Sequence, residues 1–133
     1  MKHAAAYLTT ALVFLALDAM WLGYVARSFY REGLGSMLAD PFNIPAAIGF
    51  YALYMVGLAV FVLHPALLAG SAGQALVMGL LFGLVAYATY DLTNLATLKG
   101  FPVHVALVDM AWGAIATAVA SACGVWLAMR IWS

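Results

Sequence analysis

Residues 74–98, QALVMGLLFGLVAYATYDLTNLATL, decide the fold of this chain. At a rise of about 1.5 Å per residue, a helix of this length crosses a hydrocarbon core of roughly 30 Å. The stretch lacks the alternation of apolar and polar residues that marks a membrane β-strand. It therefore predicts a spanning helix, and it raises the question of why such a helix carries Asp91.

The composition of the whole chain indicates a membrane protein. Of its 133 residues, 68% are hydrophobic and 8% are charged, and a soluble domain of this size could not bury so much apolar surface. The formal net charge is zero and the basic residues are scattered, so no nucleic-acid partner is expected. Cys123 is the single cysteine, which excludes an intrachain disulfide.

Four apolar segments predict an all-α polytopic membrane protein, a four-transmembrane-helix bundle forming one domain over residues 1–133. The N-terminal segment lacks a small-residue cleavage site, so we expect it to remain as the first span. The predicted spans cover about residues 4–26, 45–63, 74–98 and 103–132.

The link between the first two spans has an amphipathic pattern. Its apolar residues recur at helical spacing on one side, and polar residues lie opposite. This pattern predicts a short helix that lies on the membrane interface. The apolar side comprises Tyr30, Leu34, Met37 and Leu38, and the opposite side carries Glu32 and Ser36.

Small residues on the last two spans indicate where helices pack. Gly79 and Gly83 form a G-x-x-x-G pair, which lets helix backbones approach closely in lipid. Tyr87, Asp91 and Asn94 continue the same helix face, and Asp109 shares a face with small residues of the fourth span. The carboxyl groups are therefore expected to point toward neighbouring helices. The small residues that share a face with Asp109 are Gly113, Ala116 and Ala120, and Gly124 is a further small residue of this span.

Three aspartates lie at a similar predicted depth. By helical rise, Asp18, Asp91 and Asp109 lie about 13, 12 and 10 Å from the ends of their spans on one side of the membrane. We expect them to form one cluster, acting as catalytic residues or cation ligands. The candidate ligand-binding residues around this cluster are Tyr51, Tyr54, Tyr90, Asn94, Trp21 and Trp112.

The chemistry of such a cluster allows several roles. Each ionised carboxyl group costs roughly 3 kcal/mol at the bilayer centre on insertion scales, and three together cannot all stay charged without a cation. The cluster could exchange protons, coordinate a hard divalent cation, or act as an acid and base pair. Alternatively, neutral aspartates could serve only as hydrogen-bonded contacts between helices. Only His104 lies on this side, so no transition-metal site is expected and no cofactor is assigned.

Two segments share a short pattern. LDAMWLG, residues 17–23, and VDMAWGA, residues 108–114, each carry an Asp followed three residues later by a Trp. The similarity is consistent with an internal repeat in which the first and last spans line one pocket. It is equally consistent with coincidence, because Ala, Gly and Leu are frequent in this chain.

Three segments together resemble a known family. They are FLALDAMWLGYVARSFYREGLGSML, YDLTNLATLKG and DMAWG, at residues 14–38, 90–100 and 109–113. In these segments the chain resembles domain-of-unknown-function family 2177, a group of small bacterial membrane proteins. The resemblance covers essentially the whole chain and implies a four-helix protein of the bacterial inner membrane, but it implies no activity.

The basic residues give an expected orientation. Arg27, Arg31 and Lys99 lie on the side of the links that flank the aspartates, whereas Lys2 and Arg130 lie on the other side. The positive-inside rule then favours cytoplasmic links and external termini.

Three interpretations of function follow, and they leave open whether the protein is an enzyme. The first is an intramembrane pocket that binds or modifies a lipid-like or apolar small molecule, with membrane lipid as the natural partner. The second is a proton-coupled exporter resembling the small multidrug transporters, for which a homodimer is expected. The third is an accessory subunit of a membrane complex. Close packing away from the aspartates predicts a pocket that opens on one side, which favours the first interpretation.

Overall fold

The structure, a computed structural model, describes residues 1–25, 27–37 and 43–132. Four of its helical segments are long and apolar enough to cross a membrane, at Lys2–Tyr24, Ile44–Ala69, Ala72–Thr97 and Val103–Ile131. The predicted all-α polytopic fold with four spanning helices is confirmed. The α-helices are α1 (Lys2–Met20), α2 (Arg27–Leu34), α3 (Ile44–Leu58), α4 (His64–Ala69), α5 (Ala72–Thr97) and α6 (Val103–Ile131).

The second span continues beyond Leu63, where the sequence pattern places its end. A π-helical turn, Ala59–Leu63, joins α3 to α4 without a break. Pro65 lies in the first turn of α4, where its ring would clash with the carbonyl group four residues earlier in a regular helix. A wider turn before the proline relieves that clash, so the helix continues instead of ending. The helix ends at Gly70, which adopts a left-handed conformation with φ 64°.

The link after α1 forms a short helix against the bundle. A π-helical turn, Trp21–Val25, extends α1, and α2 is followed by a 3₁₀ turn, Gly35–Met37. Tyr30 and Leu34 are half-buried on α2, as its amphipathic pattern predicts. Gly33 allows α2 to approach α6, because a Cβ atom at this position would overlap the Val105 side chain. The predicted apolar position Leu38 lies outside the described residues.

Helix α6 is the centre of the bundle, with α5 as its most extensive partner and α1 next. A Cβ atom on Gly83 would lie 2.5 Å from the Gly113 carbonyl oxygen, and one on Gly79 would lie 3.0 Å from the Ser121 hydroxyl oxygen. The distance at Gly83 is too short for a real Cβ atom, whereas at Gly79 the neighbouring atoms would have to shift by a few tenths of an ångström. Glycine at position 83 is therefore required for the close approach of α5 and α6, as the G-x-x-x-G pattern predicts.

The two ends of the bundle differ in packing. We call the half that contains Asp18, Asp91 and Asp109 the aspartate end. The opposite half, where His3 Nε2 lies 3.1 Å from His64 Nδ1, is the histidine end. The histidine end has a continuous apolar core, and α1 contacts α6 so closely there that a Cβ atom on Gly124 would overlap Thr10. The core side chains at this end include Ala6, Leu58, Val62, Leu63 and Val125.

The contact between α5 and α6 gives a stability prediction. Gly83→Ala should destabilise the protein by about 1–3 kcal/mol, because the added methyl group overpacks the interface with Gly113 and Thr117. Gly49→Ala is the matched control, since Gly49 is exposed on α3 with nothing within 4 Å of a Cβ atom. This control should be neutral or slightly stabilising, because Ala is the better helix former. Thermal unfolding in maltoside micelles measures both variants, and equal stability would contradict the interface.

Candidate functional site

A cavity of about 710 Å³ opens at the aspartate end, and all four spans and α2 contribute to its walls. Its charged lining consists of the three aspartates and Arg31. Its apolar lining includes Leu22, Leu34 and Val105. Six aromatic side chains complete the walls, namely Trp21, Tyr30, Tyr51, Tyr87, Tyr90 and Phe101.

The cavity brings together most of the residues that the sequence singles out. Asp18, Asp91, Asp109, Tyr51, Tyr90 and Trp21 all line it. The other three candidates, Tyr54, Asn94 and Trp112, are not among the lining residues. Tyr54 is buried in the core, where its hydroxyl group shares a hydrogen bond of 2.6 Å with Thr117. Trp112 lies behind the wall, where it stacks on Trp21 and donates a hydrogen bond to Asp18.

Asp18 is almost fully buried, at 7% exposure, and has hydrogen-bond donors from two other spans. The Tyr51 hydroxyl group of α3 donates to Oδ2, and the Trp112 indole nitrogen of α6 donates to Oδ1 at 3.3 Å. Both carboxyl oxygens are therefore occupied. Asp18 thus joins three of the four spans at the level of the cavity.

Asp109 has a similar arrangement, with Tyr30 as its donor. The Tyr30 hydroxyl group donates to Oδ1 of Asp109 at 2.6 Å, and it accepts a hydrogen bond of 3.2 Å from the Trp21 indole nitrogen. Tyr30 lies on α2, so this chain of hydrogen bonds attaches the link helix to α6. Helix α2 also covers one side of the cavity.

The two Asp-x-x-Trp segments meet in the structure. The indole rings of Trp21 and Trp112 stack with centroids 4.4 Å apart and an angle of 7° between their planes. Trp112 donates directly to Asp18, whereas Trp21 reaches Asp109 through Tyr30. Trp112 thus holds the aspartate of α1 directly, and Trp21 holds the tyrosine that donates to the aspartate of α6.

Asp91 differs from the other two aspartates. Its side chain has 0% exposure, and neither carboxyl oxygen has a hydrogen-bond partner among the described residues. Its carboxyl group faces that of Asp109, and two ionised carboxylates can only accept hydrogen bonds, so they cannot satisfy each other. A buried polar group without a partner costs about 1–3 kcal/mol, and more when it is charged. Asp91 therefore needs a proton, a cation or a ligand that supplies donors.

The divalent-cation hypothesis can be compared with this geometry. Within residues 1–25, 27–37 and 43–132, no three or more His, Cys, Asp or Glu side chains are arranged to hold a metal ion. Tyr51, Trp112 and Tyr30 already use oxygens of Asp18 and Asp109. The three carboxyl groups share a cavity without converging on one metal position.

Three of the aromatic lining residues are not among the site residues predicted from the sequence. Tyr87 lies four residues before Asp91 on the same helix face, and its ring covers Gly113 so closely that a Cβ atom there would overlap it. The spacing of four residues from Asp91 could therefore have identified Tyr87 as a site residue from the sequence. Tyr30 and Phe101 lie in the links, and their places depend on how these segments fold back on the bundle.

The hydrogen bond between Tyr30 and Asp109 gives a pH prediction. Burial raises the pKa of Tyr30 above its ordinary value of 10.0, and the hydrogen bond to Asp109 raises it further. The folded state therefore holds this proton more tightly than the unfolded state, so the contribution of Tyr30 is complete below pH 10 and declines as the pH rises. Between about pH 9 and pH 11, the unfolding temperature should fall more steeply for the wild type than for Tyr30→Phe. Parallel profiles in maltoside micelles would contradict the buried hydrogen bond.

Among known proteins, no curated protein and no solved structure matches this chain. A family model does match, over residues 3–126, and it therefore covers the second and third spans, most of the first and fourth, the link helix and every residue of the cavity wall. The chain belongs to the family described as "Predicted membrane protein (DUF2177)".

Proposed function

We propose that the protein binds a lipid-like or other amphipathic small molecule in the cavity at the aspartate end. The observation that carries this proposal is the buried Asp91 carboxyl group, which has no hydrogen-bond partner among the described residues and lies at the wall of the cavity. A ligand that donates hydrogen bonds or carries positive charge would remove the cost of this orphaned group. With such a ligand bound, both carboxyl oxygens of Asp91 would have partners.

The size and lining of the cavity support a ligand of this kind. Sites for small molecules have volumes of about 300–1,000 Å³ and combine apolar or aromatic walls with a few polar groups. This cavity, at about 710 Å³, falls within that range and has this composition. Its position in a bundle of apolar helices favours a ligand that partitions into the bilayer.

The aspartates would have different roles in binding. Asp18 and Asp109 already accept hydrogen bonds from Tyr51, Trp112 and Tyr30, so they would fix the shape of the site. Asp91 is the carboxyl group left to receive a ligand. Tyr90 and the Trp21 ring would contact the apolar part of the ligand. The three candidates that do not line the cavity, Trp112, Tyr54 and Asn94, would act on the ligand indirectly.

The packing of the two ends favours binding over transport. An exporter needs water access to the carboxyl groups from both sides of the membrane. The apolar core at the histidine end and the contact between Gly124 and Thr10 leave little room for such a path. We therefore propose that the cavity has a single entrance, near α2 and the turn between α5 and α6. With the location and orientation expected from the sequence, this entrance would face the cytoplasm of a bacterial cell.

Copurification tests this proposal. Native mass spectrometry and lipid extraction of the wild type should find a bound lipid or small molecule, and Asp91→Asn should carry at least about tenfold less of it. Glu32→Gln is the matched control, because it removes one negative charge at an exposed position of α2 outside the cavity wall. This control should keep the bound molecule.

Stability separates loss of binding from loss of folding. Asp91→Asn should retain the helical circular dichroism of the wild type, because the carboxyl group makes no hydrogen bond to another described residue and Asn has nearly the same size. It should also lose the stabilisation that a bound ligand provides. A wild type that carries no bound molecule, or an Asp91→Asn variant that carries as much as the wild type, would overturn the proposal.

A further inference from the structure

We propose that the ligand of this cavity carries an ammonium head group, held by the Asp91 carboxylate and surrounded by the aromatic walls. This inference rests on the proposed function and identifies the chemical class of the ligand. It joins three independent features of the site: the charge of its lining, the orphaned carboxyl group and the number of aromatic rings.

The charge of the lining favours a cation. Three carboxyl groups and one guanidinium group, that of Arg31, line the cavity. Arg31 is exposed, whereas Asp18 and Asp91 are buried, so the uncompensated negative charge lies deepest. A cationic head would allow the carboxyl groups to remain ionised together, and an anionic head would meet repulsion from all three.

The orphaned carboxyl group fits the hydrogen bonding of an ammonium ion. An ionised carboxylate accepts hydrogen bonds only, and a protonated amine has only donors. Neither oxygen of Asp91 has a hydrogen-bond partner in the part of the chain that the structure describes, so a protonated amine would satisfy them without needing an acceptor from the wall. Such charge-assisted hydrogen bonds are about twice as strong as those between neutral groups.

The aromatic rings add a second means of recognition. Six of the lining side chains are aromatic, and the negative face of an aromatic ring attracts an ammonium ion within roughly 6 Å. The Trp21 ring is held in place by its stacking on Trp112 and by its hydrogen bond to Tyr30. A rigid ring next to buried negative charge favours an organic cation over a metal ion, in keeping with the lack of a metal-ligand set among the described residues.

The ammonium group has two sources in a membrane. It can belong to the head group of a bilayer lipid such as phosphatidylethanolamine, or to a free amine with an apolar body. Both present the same chemistry to Asp91. The experiment below therefore compares head-group charge first and then distinguishes these sources by adding lipid.

Three probes with the same eight-carbon chain test the charge of the head group. Octylammonium, octanol and octanoate are titrated into the purified, delipidated wild type in uncharged maltoside micelles at neutral pH. Tryptophan fluorescence is followed, because Trp21 lines the cavity, and protein-free micelles serve as the blank. The ammonium probe should bind at least about tenfold more tightly than the neutral and anionic probes.

Variants locate the preference at Asp91. Asp91→Asn keeps the size of the side chain and removes its charge, and it should reduce the preference for the ammonium probe to less than about threefold. Glu32→Gln should keep the full preference, because Glu32 lies outside the cavity wall. The comparison of the three probes in the wild type remains decisive even if Asp91→Asn unfolds.

The outcomes separate this inference from the proposed function. Equal or tighter binding of octanol or octanoate by the wild type would overturn the ammonium head and leave a ligand-binding cavity. A preference for the ammonium probe that survives in folded Asp91→Asn would also overturn it. Binding of none of the three would overturn the cavity and the head group together. If the preference is found, competition by added phosphatidylethanolamine but not phosphatidylglycerol identifies a lipid head group, and its absence identifies a free amine.

Discussion

The close approach of α5 and α6 is the constraint on which the rest of the structure depends. At Gly83 the two backbones come so near that any side chain would overlap the Gly113 carbonyl group or Thr117. The same approach seats the Tyr87 ring over Gly113 and brings Asp91 to the same cavity as Asp109. Close packing at the small residues of α5 and α6 thus determines where the carboxyl groups of Asp91 and Asp109 lie.

The three aspartates have different surroundings. Asp18 and Asp109 are hydrogen-bonded contacts between elements, with donors from α3, α6 and α2. Asp91 lies at the cavity wall and has no hydrogen-bond partner among the described residues. Two of the aspartates therefore connect elements of the bundle, and the third does not.

The link helix α2 connects the fold to the site. Gly33 lets α2 lie against Val105 of α6, and this contact brings Tyr30 within 2.6 Å of Asp109. The helix therefore covers one side of the cavity at the aspartate end, while the core of the histidine end is mostly apolar, with Thr10 and Ser121 buried in it.

The sequence by itself determined the fold class, the number of spans and the face of α5 that packs, because hydrophobic length and helical spacing are local properties. It also predicted that three aspartates share one level, since helical rise measures depth. The tertiary structure alone decided which groups are satisfied. Tyr30 reaches Asp109 across 79 positions of the chain, and Trp112 reaches Asp18 across 94. Asp91 has no hydrogen-bond partner within residues 1–25, 27–37 and 43–132. Such pairings depend on how helices rotate and how links fold back, and no periodic pattern in the sequence encodes either.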